Sequence, residues 1–267
     1  MKAYCINLDR RADRLEQVTM EFKRAGLPFE RITAVDAKDP AVAAAAETVP
    51  LSFQHVRISA GAYACLQSHR RAWRRMLDDG QAYGAFFEDD VLLAPDISFL
   101  GEDQWVPADA EVVKLETFQT RVHLSRHRHR IAPAWSLARL RSTHIGTAAY
   151  VLRADTAERL LVLTERRGDP VDELVFNSKL GFFDSAMIYQ MIPAPAAQGD
   201  RLGPQKLKVD VGWKATSITT RHAAGQVAVQ DVPERIFARF YRRLREELCA
   251  VRNGTRYVVV AHGRSLD

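Results

Sequence analysis

The chain has 267 residues, 47% of them hydrophobic and 9% aromatic. That is enough to bury a full core as one α/β domain or one domain plus a small appendage, and too much for a disordered polymer. With 38 Lys and Arg against 33 Asp and Glu, the formal charge is +5. So small a bias suits phosphate-bearing or anionic-surface partners and, without an aromatic–basic motif, gives nucleic-acid binding no support.

Cys5, Cys65 and Cys249 form no CxxC pair, which argues against a disulfide framework or a thiolate zinc site and for a reducing cytoplasm. No apolar run reaches the ~18 residues of a membrane span. Met1–Leu8 lacks the charged start and apolar stretch of a signal peptide.

In chain order, Ala3–Leu8 reads as a strand. Residues 11–25 read as a helix with Leu15, Val18 and Phe22 at helical spacing, stopped by Gly26 and Pro28. Phe29–Val35 is a second strand, ending at Asp36, and the β-α-β order predicts a parallel sheet with right-handed crossovers. Residues 41–57 read as a loop or frayed helix. Ser59 is placed to cap a helix whose inner stripe is Ala62, Cys65, Leu66, His69, Trp73, Met76 and Leu77, with Arg70, Arg71, Arg74 and Arg75 mainly outside. Further strands are expected at Tyr83–Phe87, Glu111–Leu115, Thr147–Leu152 and Ile188–Ile192, and a helix at 155–164. Another helix is expected to open at Gly168-Asp169-Pro170, capped by Asp169. Residues 193–230 read as irregular. Residues 234–248 read as a basic amphipathic helix, so the expected organisation is a domain at 1–232 and a tail at 233–267.

The chemistry concentrates at Glu88-Asp89-Asp90. Three carboxylates leaving the C-terminal end of an apolar strand repel one another unless a cation sits there, and that edge is where open α/β sheets bind ligands. Strand alternation lets Glu88 and Asp90 point together while Asp89 turns away. Oxygen ligands suit Mg²⁺ or Mn²⁺, ions that keep positions open for phosphates. The competing reading is a solvated acidic strand end. Ser68 and His69 read either as core or as contacts to a phosphate or sugar. Asp9, Arg10, Arg11, Asp13 and Arg14 form a strand-to-helix turn of the kind that meets nucleotides, although no GxGxxG or P-loop is present. Asp172 falls in a first helical turn, where acids are favoured by the dipole and where a general base is also well fixed. Arg126-His127-Arg128-His129-Arg130 reads as a basic loop rather than a metal site.

Taken in order, the motifs resemble glycosyltransferase family 25, the lipopolysaccharide sugar transferases related to collagen galactosyltransferases. The matching pieces are Ile6-Asn7-Leu8-Asp9-Arg10 with Arg14; Ala34-Val35-Asp36-Ala37; Gly61, Cys65, Ser68, His69 and Trp73; Phe87-Glu88-Asp89-Asp90-Val91; Gly146-Thr147-Ala148-Ala149-Tyr150; and Pro170-Val171-Asp172. They span about residues 3–175, with a fainter echo at Pro195-Ala196-Ala197-Gln198 and Thr216-Ser217-Ile218.

The resemblance implies a GT-A-like α/β fold with a mixed, mainly parallel sheet, a UDP-sugar donor (commonly UDP-galactose) and inversion at the anomeric carbon. It implies nucleotide-sugar contacts at Asn7, Leu8, Arg14, Asp36, Ser68, His69, Glu88 and Asp89. Mn²⁺ or Mg²⁺ would bind at Glu88 and Asp90 with a further ligand at His222, and Asp172 becomes the base. The expected acceptor is a lipopolysaccharide or other surface glycan, lipid-linked and met at the inner face of the plasma membrane. The basic tail would rest there, on the catalytic domain, or on a second subunit of a homodimer. A sugar nucleotidyltransferase and a non-catalytic nucleotide-sugar binding module are the alternatives; Asn7-Leu8-Asp9-Arg10 lacks the glycine-rich signature of the former.

Overall fold

The structure is a computed structural model that describes residues 1–199 and 255–261. Strand β1 (Lys2–Asn7) leads through helix α1 (Ala12–Ala25) to β2 (Phe29–Thr33). Helices α2 (Pro40–Thr48) and α3 (Ala60–Asp78) precede β3 (Tyr83–Glu88) and the short β4 (Val91–Leu93). There follow β5 (Val112–Lys114), β6 (Arg121–Ser125), β7 (His129–Ala132), β8 (Trp135–Arg139) and β9 (Ala149–Arg153). Helices α4 (Ala154–Leu163), α5 (Val171–Phe176) and α6 (Gly181–Ser185) lead to β10 (Ile188–Ile192), β11 (Ala196–Gln198) and β12 (Thr255–Val259).

Local chemistry accounts for most boundaries. α1 buries Arg14, Val18, Phe22 and Ala25 along one face and ends at Gly26, whose φ of 66° is the left-handed conformation a helix C-terminus favours. Asp39 caps α2 through the Ala41 amide, with Pro40 at its first turn, so of the stretch read as loop or frayed helix residues 41–48 are an ordered helix and 49–57 are the loop. Ser59 caps α3 through the Ala62 amide, and Leu66, His69, Trp73 and Met76 recur at 3.6-residue spacing on its buried face. Arg70 is not on the outer face as expected. It is 4% exposed and its guanidinium donates to the Leu161 carbonyl at 2.6 Å and to Thr164 on α4. Asp169 does not cap α5, whose cap position is Pro170. Its carboxylate accepts instead from the Phe53 amide at 2.8 Å and from Arg167, fastening the 50s loop.

The main sheet runs in the order β2-β1-β3-β9-β5-β10-β8-β7. β2, β1 and β3 are parallel neighbours, as are β5 and β10. β9 runs against both β3 and β5, and β8 against both β10 and β7. Six of the eight strands therefore share one direction, the mixed, mainly parallel GT-A-like arrangement the sequence leads one to expect. α1 covers one face, packing Val18, Phe22 and Ala25 on Ala85 and Phe87. α3, α4 and α5 cover the other, over Tyr4, Phe86 and Tyr150.

Two small ribbons complete the domain. β11 pairs antiparallel with β4, opposing Gln198 to Val91. β12 pairs antiparallel with β6, and just beyond it Val260 is fully buried in the same core as α3. The Thr117 hydroxyl donates to the Val260 carbonyl at 2.7 Å. Residues 255–261 are thus built into the domain. The helix expected at 234–248, and His222, lie outside the described residues. Among the described residues no helix is long and apolar enough to cross a membrane.

Candidate active site

One row of directly paired residues crosses the sheet: Tyr4, Phe86, Tyr150, Lys114 and Gln190. It begins aromatic, with Phe86 stacked between Tyr4 (5.5 Å) and Tyr150 (5.3 Å). Such pairs contribute roughly 0.5–1.5 kcal/mol each beyond their buried area. The row then turns polar, with Lys114 against the Phe176 ring of α5, and the acidic turn projects from the end of β3 next to it.

The three acids divide as alternation requires. Asp89 faces α1, accepting from Asn7 Nδ2 at 2.7 Å and from Arg14 at 3.0 Å. Burial nevertheless raises its pKa, opposed by the Arg14 charge and the Asn7 bond. Glu88 and Asp90 instead share one donor: Gln198 Nε2 lies 3.3 Å from Glu88 Oε2 and 3.4 and 3.5 Å from the two Asp90 oxygens. Arg14 also approaches Asp90, at 3.6 Å. The Thr147 hydroxyl donates to Glu88 Oε1 at 3.1 Å. Burial pushes the Glu88 carboxyl up, but His69 and Thr147, with the Arg14 charge, outweigh it and hold the pKa below its usual value.

His69 is fully buried. Its Nδ1 lies 2.8 Å from the Tyr150 hydroxyl, which also accepts from Trp73 Nε1 at 2.7 Å. Its Nε2 lies 3.5 Å from Glu88 Oε1. Asp172 sits in the first turn of α5, half-buried, and accepts from the Glu173 amide at 2.9 Å. Burial raises its pKa, opposed by that amide and reinforced by the Glu173 and Glu88 charges. His69, Glu88 and Asp172 therefore converge on the α3/α5 face.

Other expected contacts lie further back. Asn7 is occupied by Asp89, the Arg11 carbonyl and Arg31. The Leu8 carbonyl accepts the Arg11 amide at 2.9 Å. The Ser68 hydroxyl accepts from the Val35 amide and donates to the Ala64 carbonyl, tying the chain after β2 to α3. Asp36 is paired with Arg10 at the surface. The segment read as a basic loop is a short link into β7, where the His129 ring meets Tyr189 edge-on at 5.5 Å.

Lys114 and Glu116 escape the sequence reading, and Gly146 and Gln198 enter it only as motif residues without a role. Lys114 and Glu116 are fully buried and paired at 2.9 Å, with the ammonium 4.0 Å over the Phe176 ring. Burial lowers the Lys114 pKa and raises that of Glu116, each resisted by the partner's charge. Lys114 donates to the Gly146 carbonyl at 2.6 Å and Glu116 accepts the Ala148 amide at 2.9 Å, so the pair clamps the segment that presents Thr147 to Glu88. Gly146 has φ of 111°, and a Cβ there would sit 2.5 Å from the Phe118 ring and 2.8 Å from Glu116 Oε1; no other residue fits. The available sequence signal is a lysine and a glutamate two apart in an apolar strand, hence on one face.

Residues 1–175 match the family described as Glycosyltransferase family 25 (LPS biosynthesis protein). The chain belongs to that family. It is a glycosyltransferase of lipopolysaccharide biosynthesis, taking a sugar donor and a glycan acceptor, which favours sugar transfer over nucleotidyl transfer. The family's member is 33% identical over 208 residues to the lacto-N-neotetraose biosynthesis glycosyltransferase LgtB of Neisseria gonorrhoeae, covering 74% of each chain. It is 32% identical over 210 residues to LgtE of the same organism, again 74% of each. It is 26% identical over 261 residues to the lipooligosaccharide biosynthesis protein lic2B of Haemophilus influenzae, covering 90% of this chain and 95% of that one.

Proposed function

We propose that the protein transfers a hexose, galactose in the first instance, from a UDP-sugar to a hydroxyl of a lipopolysaccharide acceptor, inverting the anomeric carbon and depending on Mn²⁺ or Mg²⁺. The observation that carries this reading is the Gln198 amide held by both Glu88 and Asp90. A group with positive hydrogens occupies the point where two carboxylates converge, and a divalent cation fits that donor set. Glu88 and Asp90 would hold the ion, which when bound supplies positive charge against the departing diphosphate.

The chain's own residues do the rest. Inversion takes one in-line displacement: the acceptor oxygen bonds to the anomeric carbon as the carbon–phosphate-oxygen bond breaks, its electron pair leaving with UDP. The acceptor proton goes to the Asp172 carboxylate, a better base because burial raises its pKa. Thr147 holds Glu88 in orientation, with the His69 ring 3.5 Å away. A lipid-linked acceptor would bring this work to the cytoplasmic face of the membrane.

Calorimetric titration of UDP-galactose with and without Mn²⁺, on wild type and Asp90→Ala, tests the reading. Binding is expected to need the cation and to vanish in the variant, with UDP rather than pyrophosphate released on turnover. Full, cation-independent transfer by Asp90→Ala would overturn it.

A further inference from the structure

A second set of donor atoms converges beside the Glu88–Asp90 pair. Cys65 and His69 lie one turn apart on α3, so their side chains share a face, and Glu88 rises from β3 opposite them. The Cys65 sulfur, a His69 ring nitrogen and a Glu88 carboxylate oxygen all lie within 4.8 Å of one another.

His69 Nε2 is buried and makes no hydrogen bond among the described residues, although Glu88 Oε1 is 3.5 Å away. A buried polar atom left in that state is destabilising, and ligation would remove the cost. The outer contacts a metal site needs are already present. Tyr150, itself fixed by Trp73, orients the imidazole through Nδ1, while Thr147 and Gln198 hold Glu88. Cys65 is only partly buried and the Glu88 side chain is 23% exposed, so an ion has a way in. Absence of a CxxC pair in the sequence does not bear on this set, because one ligand comes from a different element.

A thiolate, an imidazole and one carboxylate make a borderline-soft set. We propose that Cys65, His69 and Glu88 form a three-ligand site for a zinc-class divalent ion, leaving a fourth position to water and sharing Glu88 with the Glu88–Asp90 pair. Ligation replaces the thiol proton, which passes to solvent. Because one carboxylate serves both sets, zinc and the hard cation exclude each other, and zinc acts as an inhibitor of the transfer.

The test uses the full chain stripped of metal by a chelator. Zn²⁺ is titrated against a chromophoric chelator, and Cd²⁺ is followed by its thiolate absorption in the ultraviolet. Wild type is expected to bind one ion and show the cadmium–thiolate band. Cys65→Ser should lose the band and bind Zn²⁺ at least about tenfold more weakly; Cys65→Ala replaces it if the serine variant does not fold. Equal zinc affinity in wild type and variant, or a band that survives the substitution, overturns the site. Asp90→Ala should keep zinc binding, so this arm stands whether or not the donor reading does. Only the competition arm rests on the proposed transfer: Zn²⁺ added with Mn²⁺ should inhibit wild type and spare Cys65→Ser.

Discussion

The two faces of the central sheet treat their carboxylates differently. On the α1 face Asp89 has both oxygens engaged, one by Asn7 and one by Arg14. On the α3/α5 face, among the described residues, His69 Nε2, Glu116 Oε2 and His144 Nε2 are buried without a hydrogen-bond partner. Buried polar atoms are normally satisfied, so the unbonded His69 Nε2, 3.5 Å from Glu88, is where a ligand would be met. The lesson is that Glu88, Asp89 and Asp90 are not equivalent in their surroundings: Asp89 is bonded at both oxygens within the α1 face, whereas Glu88 and Asp90 converge on Gln198 at the proposed site.

The largest expected effect falls on the ligand face. Asp172→Asn keeps the shape of the first turn of α5 and removes the proposed proton acceptor, so kcat should fall by roughly 10²–10⁴-fold with donor affinity retained. Because burial raises the Asp172 pKa, wild-type kcat should also fall with acid at a pH above the usual carboxylate value, as the base becomes protonated. Normal transfer by Asp172→Asn would remove it as the base and leave Glu116 as the next buried carboxylate on that face.

Disturbing the α1 face should cost stability instead. Arg14→Leu leaves Asp89 with Asn7 as its remaining side-chain partner, and breaking a buried pair this way destabilises by about 3–5 kcal/mol, read as a lower denaturant midpoint. The double variant Arg14→Leu with Asp89→Leu should recover part of the loss. An Arg14→Leu protein of normal stability that no longer binds donor would break the contrast, moving Asp89 to the ligand side.

Much of this contrast is legible in the sequence, because local periodicity carries it. The α1 and α3 stripes, the stop at Gly26 and the division of Glu88 from Asp89 all follow from 3.6- and 2-residue repeats. What stays hidden depends on partners distant in the chain. Arg70 looks like an outward arginine until α4 presents the Leu161 carbonyl 91 residues later. Gln198 reaches Glu88 only because β11 folds back on β4. The Lys114–Glu116 clamp acquires meaning only when β9 inserts between β3 and β5, and no spacing rule shows β12 returning to β6.

The smallest effect is a pH dependence on the ligand face. His144 is buried, with Nδ1 2.8 Å from Gln190 Oε1. Burial, helped by the Lys114 charge, lowers its pKa to about 3. An unfolded histidine titrates near 6.5, so between these values the unfolded chain binds the extra proton and folding stability must fall as pH falls. The fall from neutral pH to about pH 5 should be about 2 kcal/mol from this residue alone. His144→Gln, whose amide can still meet Gln190, should flatten the stability profile over that window whatever its stability at neutral pH. If the variant's profile is as steep as the wild type's, the imidazole is not held neutral by burial, and the ligand face is wetter than its unbonded atoms imply.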